Sequence, residues 1–147
     1  MQFDQRAIGQ MPTHLSIDMT PPLWGLVIFV LWTIAIVILL LVVRIKHLSA
    51  GGSAKDFGTQ NDESLLWRLL RVHANLVENL SLYAAVVLLL TVRGISGTAV
   101  NLLIVAYITF RLVHSVIHIA GIDAKFRLLS LAIQLCCLAA LITLAIL

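Results

Sequence analysis

The chain has 147 residues, of which 61% are hydrophobic and 12% charged, with a mean hydropathy of +1.04 and a formal net charge of +3. So few charges cannot dress a water-soluble surface, where about a quarter of residues are charged, and the composition is that of an integral membrane protein. The net charge is too modest to point to nucleic acid; where the cations sit matters more than how many there are.

Crossing roughly 30 Å of hydrocarbon takes about 20 apolar residues, and four segments are long enough. The first helix is predicted over about residues 22–46. Thr20 ahead of Pro21 and Pro22 reads as an N-cap with prolines in the first turn. The polar stretch before it has no basic n-region or small-residue cleavage site, so this helix is expected to be a retained span rather than a cleaved signal. A polar Gly/Ser-rich loop, residues 47–63, leads to the second helix, about 64–93. The second half of that helix is apolar, but its first half carries Arg71, His73, Asn75 and Glu78. The third helix, about 98–120, is broken by Arg111, and the fourth runs over about 126–147. Cys136 and Cys137 are adjacent in the fourth; neighbours do not make an ordinary disulfide, and both read as small packing residues. There are no internal repeats. The expected fold is therefore all-α, a single domain built as an antiparallel bundle of four transmembrane helices.

Basic residues set the expected orientation. Arg44, Lys46, Lys55, Arg68 and Arg71 lie at or near the first loop, and Lys125 and Arg127 at the loop joining the last two helices. The opposite side has only Arg6 and Arg93. Cytoplasmic loops are enriched in Lys and Arg, so both richer loops are expected in the cytoplasm and both termini on the other side.

Residues at i, i+3, i+4 and i+7 share a helix face. Arg68, Arg71, Asn75 and Glu78 follow that rule in the second helix, Arg111, His114 and His118 in the third, and Arg127, Ser130 and Gln134 in the fourth. Antiparallel packing brings these stripes, with Arg44, into the cytoplasmic half, while the outer half is nearly bare. A channel or ion-coupled transporter needs polar groups along the whole crossing. A one-sided polar cup is instead a binding or reaction site. Its four arginines, Arg44, Arg71, Arg111 and Arg127, outnumber one carboxylate, Glu78, so an anionic ligand is expected. Arginine suits carboxylate or phosphate, and Glu78 suits an amine. Glutathione, with two carboxylates and one ammonium, fits; a phosphorylated ligand or an anionic lipid headgroup is also compatible.

Plainer roles stand beside these. Arg44, Lys46 and Arg68 can be interfacial anchors that snorkel. Arg71 with Glu78, or Arg111 with a carbonyl, can be glue between helices. His114 and His118 have metal-ligand spacing but no evident partners on a facing helix, so no metal is expected. His73 lies off the stripe and reads as a packing or interfacial residue.

The segment "RVHANLVENL" resembles the second-helix signature of the membrane-associated proteins in eicosanoid and glutathione metabolism, the MAPEG family. "RLVHSVIHIAGIDAKFRLLSLAIQLCCLAAL" is similar to that family's third and fourth helices, and the likeness spans roughly residues 23–147. The resemblance implies a homotrimer with glutathione held between neighbouring subunits near the cytoplasmic face. By position, Arg71, Asn75, Glu78, Arg111, His114, His118 and Arg44 would bind the tripeptide, and Arg127 would favour the thiolate. Eicosanoid-producing relatives have a tyrosine where this chain has His118, and the prostaglandin E synthase branch a serine where it has Leu128. Glutathione transfer or peroxidase chemistry on apolar electrophiles or lipid hydroperoxides is therefore expected over prostaglandin synthesis, with a non-catalytic binder of lipid or glutathione as the alternative.

Overall fold

The computed structural model describes residues 18–61 and 63–147. Four long helices carry the fold: α1 Pro21–Ser49, α2 Leu65–Val92, α3 Thr98–Ile119 and α4 Ala124–Ile146. All four are long and apolar enough to cross a membrane. At 1.5 Å per residue the shortest is about 33 Å long, just over the hydrocarbon thickness. Arg6, counted above on the opposite side, lies outside the described residues.

Helix boundaries follow local chemistry. Pro21 and Pro22 occupy the first two positions of α1, where no N–H partner is needed, and Thr20 caps through its backbone rather than its hydroxyl. Asp123 caps α4 by accepting a bond from Lys125 N at 3.1 Å, which starts that helix before its apolar run. Gly94 (φ 63°) and Gly121 (φ 70°) end α2 and α3 in the left-handed conformation, where a side chain would be strained. The tight turns they make force α2, α3 and α4 to run antiparallel.

The long contacts confirm that arrangement. Tyr83, late in α2, donates to Pro22 O at the start of α1 (3.4 Å), and Arg93, just after α2, donates to the last carbonyls of α4, reaching Ile146 O at 2.8 Å. α1 packs on α2 and α3, and α4 packs on the same pair from the other side. The core between them is apolar and aromatic. Tyr83 and Tyr107 stack at 4.7 Å with rings 5° from parallel, and Phe29 closes the cluster 5.8 Å from Tyr83. Gly25 permits that closure, because a Cβ there would strike the Tyr83 hydroxyl. The outward faces are aliphatic, as lipid requires: Leu31, Ile38, Leu102 and Leu135 are all more than half exposed.

α1 runs to Ser49, three residues past the expected end of the helix, and the described part of the loop that follows, residues 50–61, is built rather than slack. A 3-10 helix, Ala54–Gly58, opens with a capping box between Ser53 and Asp56. The Asp56 carboxylate also pairs with His47 at 2.8 Å, and His47 together with the Ser53 N–H holds that carboxyl below its ordinary range. Phe57 packs toward Leu40, Leu66 and Leu69, which fastens the loop to the ends of α1 and α2.

Candidate functional site

The end of the bundle that carries this loop is where α1 and α3 finish and α2 and α4 begin. There a cavity of about 230 Å³ opens between α2, α3 and α4. Arg71 and Asn75 line it from α2, His114 and His118 from α3, and Arg127 and Leu128 from α4. Arg71 and Asn75, and His114 and His118, are each four residues apart, so helical periodicity places both members on one wall, as it does Arg127 and Leu131.

The walls are held in register by hydrogen bonds between the helices. His114 Nδ1 lies 3.1 Å from Arg127 O, and because a carbonyl can only accept, that nitrogen carries a proton; in the neutral ring Nε2 is then the acceptor. One turn deeper, Ser130 Oγ donates to Phe110 O at 2.9 Å, and the Gln134 amide donates to Phe110 O and Ser130 O. These bonds clamp α4 onto α3 and fix Arg127 opposite His114.

Arg111 is 1% exposed and lies beneath the cavity rather than in it. Its two terminal nitrogens donate to Asn75 Oδ1 (2.7 Å) and Gln134 Oε1 (3.1 Å), and its guanidinium sits 5.5 Å from the centre of the Phe29 ring. Amide oxygens and an aromatic face thus replace water around a buried cation. Glu78, one turn beyond Asn75, acts on Arg111 electrostatically but is itself exposed and away from the cavity.

The sequence-based expectation therefore needs redrawing within one chain. Arg71, Asn75, His114, His118 and Arg127 do converge. Arg111 is drawn into the core by its amide partners. Arg44 lies 5.3 Å over the Phe57 ring, held at the loop instead of the cavity. No acidic side chain lines the cavity, and among the described residues none hydrogen-bonds or ion-pairs with the Arg71 or Arg127 guanidinium. Arg71, exposed, and Arg127, half-buried, thus face the cavity with no acid beside them, an arrangement chemically suited to an anion. His114 and His118 stand 6.1 Å apart, ring to ring, and among the described residues no group of three His, Cys, Asp or Glu is placed to hold a metal ion.

A larger cavity, about 390 Å³, lies between Trp24, Gly25 and Ile28 of α1 and Ile104 and Ile108 of α3. No titratable side chain lines it, and it reads as a lipid-facing groove. The titratable side chains line the smaller one.

With that geometry in view, comparison with known families is decisive on one point. The family model described as the MAPEG family matches residues 22–147, nearly the whole chain. The chain belongs to the MAPEG family. No curated protein and no solved structure gives a match. The family includes glutathione transferases and related enzymes alongside members that are not transferases, so membership as a MAPEG protein leaves the particular activity to the site.

Sequence reading passed over Tyr107 and Asn79. A signal existed: Tyr107 precedes Arg111 by one turn and Asn79 follows Asn75 by one turn, so both extend stripes already recognised.

Proposed function

We propose that this MAPEG protein is a membrane-bound glutathione transferase, with glutathione peroxidase activity on lipid hydroperoxides as a companion reaction. The observation that carries the reading is the cavity with Arg71 and Arg127 on opposite walls and no acid between them. Glutathione enters as co-substrate: its carboxylates meet arginine forks, His114 Nε2 accepts from an N–H of the tripeptide, and Arg127 stands by the thiol. A cation in a low-dielectric setting at the start of a helix stabilises thiolate over thiol. The thiolate then attacks an apolar electrophile that arrives laterally from the bilayer.

The site is small in one chain, which supports a neighbouring subunit completing it; that the assembly is a homotrimer is what the family resemblance implies. A cavity of about 230 Å³ falls short of the roughly 300–1,000 Å³ of ordinary small-molecule sites. Arg44 and Glu78 lie outside it on surfaces that a neighbouring subunit can bring to the same ligand. In this arrangement the cup faces the cytoplasm, which supplies glutathione, and both termini lie across the membrane.

Glu78→Gln and Arg71→Ala should each weaken glutathione binding by about 1.5–3 kcal/mol, the range for hydrogen bonds to charged groups. Calorimetry on folded, detergent-solubilised variants measures it; parent-like affinity in both would make the cup structural. A binder without turnover gives the same calorimetry but no thiolate absorbance at neutral pH.

Sidedness is tested separately. Cysteines placed singly at Ser49, Ser53 and Ser64 should react with an impermeant maleimide only after the cytoplasmic face is opened. Labelling of intact cells would put the cup in the wrong compartment.

A further inference from the structure

The first loop does more than join α1 to α2. Its 3-10 helix is tied back to α1 by the Asp56 carboxylate, which accepts from the Ser53 N–H at 2.9 Å and sits 2.8 Å from His47 Nε2. Gly52 makes room for that tie, because a Cβ there would strike the His47 ring. Next in the chain, Phe57 packs against Leu40, Leu66 and Leu69, a cluster that Ile119, the neighbour of His118 in the cup, also joins. The Phe57 ring is thus held by apolar contact with the bundle and, through its own backbone, by the Asp56 tie.

Arg44 lies over this ring, its guanidinium carbon 5.3 Å from the centre. Its Nε is buried without a hydrogen-bond partner, and among the described residues no acid, carbonyl or amide pairs with the guanidinium. Other arginines of the chain spend their donors. Arg111 gives them to Asn75 and Gln134, Arg93 to the end of α4, and Arg68 to Glu63 O. Arg44 gives none. An aromatic face attracts the cation and leaves its N–H edge unused. A long side chain gives up rotamer freedom when a ligand fixes it. One already fixed by a ring has given up part of that freedom before the ligand arrives. Leucine would fill the same apolar pocket, so the pocket itself does not call for a ring; the cation does.

We infer that Phe57 is a positioning residue: it holds the Arg44 guanidinium over its ring, with the N–H fork open, for a carboxylate of glutathione in the cup of a neighbouring subunit. The inference rests on the glutathione reading of the cup. What it adds is that the loop, and not α1 alone, sets where this cation stands.

The test replaces Phe57 with phenylalanines carrying one, two and three ring fluorines, in the full chain in neutral-lipid nanodiscs. Fluorine nearly keeps the ring's shape but drains negative charge from its face, so the attraction for the cation is what changes. Glutathione affinity by calorimetry should fall step by step, to about fivefold below the parent. The melting temperature should stay at the parent's. In an Arg44→Ala background the same series should be flat, as a double-mutant cycle requires of two groups that act together. A flat series with Arg44 present would overturn the proposal. So would a rising one, which would mean that the ring withholds Arg44 from the ligand. Melting temperatures that fall in step with affinity would make the ring a packing group and overturn it too. The two readings fail separately: a parent that does not bind glutathione removes the cup reading and this role with it, whereas a binding parent with a flat series removes this role alone.

Discussion

Replacing Arg127 with leucine is expected to keep most of the glutathione affinity and to lower turnover at neutral pH by about a hundredfold. In the proposed reading the ligand's carboxylates would meet Arg71 in the cavity and Arg44 of a neighbouring subunit, whereas the thiol would meet only Arg127. Losing a charge that holds the thiol about two pH units down corresponds to about 2.7 kcal/mol, which is the hundredfold. The arginine's place strengthens its effect: it lies in the first turn of α4, where the helix dipole also favours negative charge. Raising the pH toward the free thiol value should recover part of the rate, since bulk hydroxide then supplies the ionisation. The measurement is turnover with a model electrophile against pH for parent and variant, with calorimetry alongside. An unchanged rate would remove Arg127 from the mechanism, and a parallel collapse of affinity would make it a binding residue. Because its guanidinium has no hydrogen-bond partner among the described residues, the variant should fold like the parent.

What could be read from sequence divides along physical lines. The four spans were legible because a helix that crosses hydrocarbon must be long and apolar, and lipid-facing side chains impose that composition directly. The polar stripes were legible because helical periodicity is strict, and Arg71, Asn75, His114, His118 and Arg127 do share one cavity. The division of labour among the arginines was not legible. Arg111 and Arg127 look alike in a periodic pattern, and only packing shows that one meets Asn75 and Gln134 while the other faces open space. Arg44 depended on a contact that spacing cannot reveal, since Phe57 sits in a loop that composition marks only as polar and Gly/Ser-rich. Tyr107 shows the same limit: an aromatic residue in an apolar run reads as core, and so it is, but spacing does not reveal that its buried hydroxyl finds no hydrogen-bond partner among the described residues.

Arg111→Met should be the most destabilising single change near the site. Methionine fills the volume with an apolar chain, but Asn75 Oδ1 and Gln134 Oε1 lose the donor they share. A buried acceptor left unpaired costs about 1–3 kcal/mol; Gln134, 1% exposed, bears that in full, while half-buried Asn75 on the cavity wall adds less. Denaturant unfolding in detergent measures it, and a midpoint within error of the parent would show that the network carries no stability. Glutathione affinity should fall as well, because Asn75 forms part of the cup wall and its amide would no longer be held. The two effects come apart in the triple variant Arg111→Met, Asn75→Leu, Gln134→Leu. Replacing a buried polar network by apolar groups of similar size is often neutral or stabilising, so unfolding should return toward the parent value while glutathione binding stays lost. That outcome would show that an apolar core serves the scaffold equally well at this level of the bundle. The buried network would then be explained by what it presents to the cavity, the held amide of Asn75 and the positive field of Arg111 beneath it, where the proposed anion would sit.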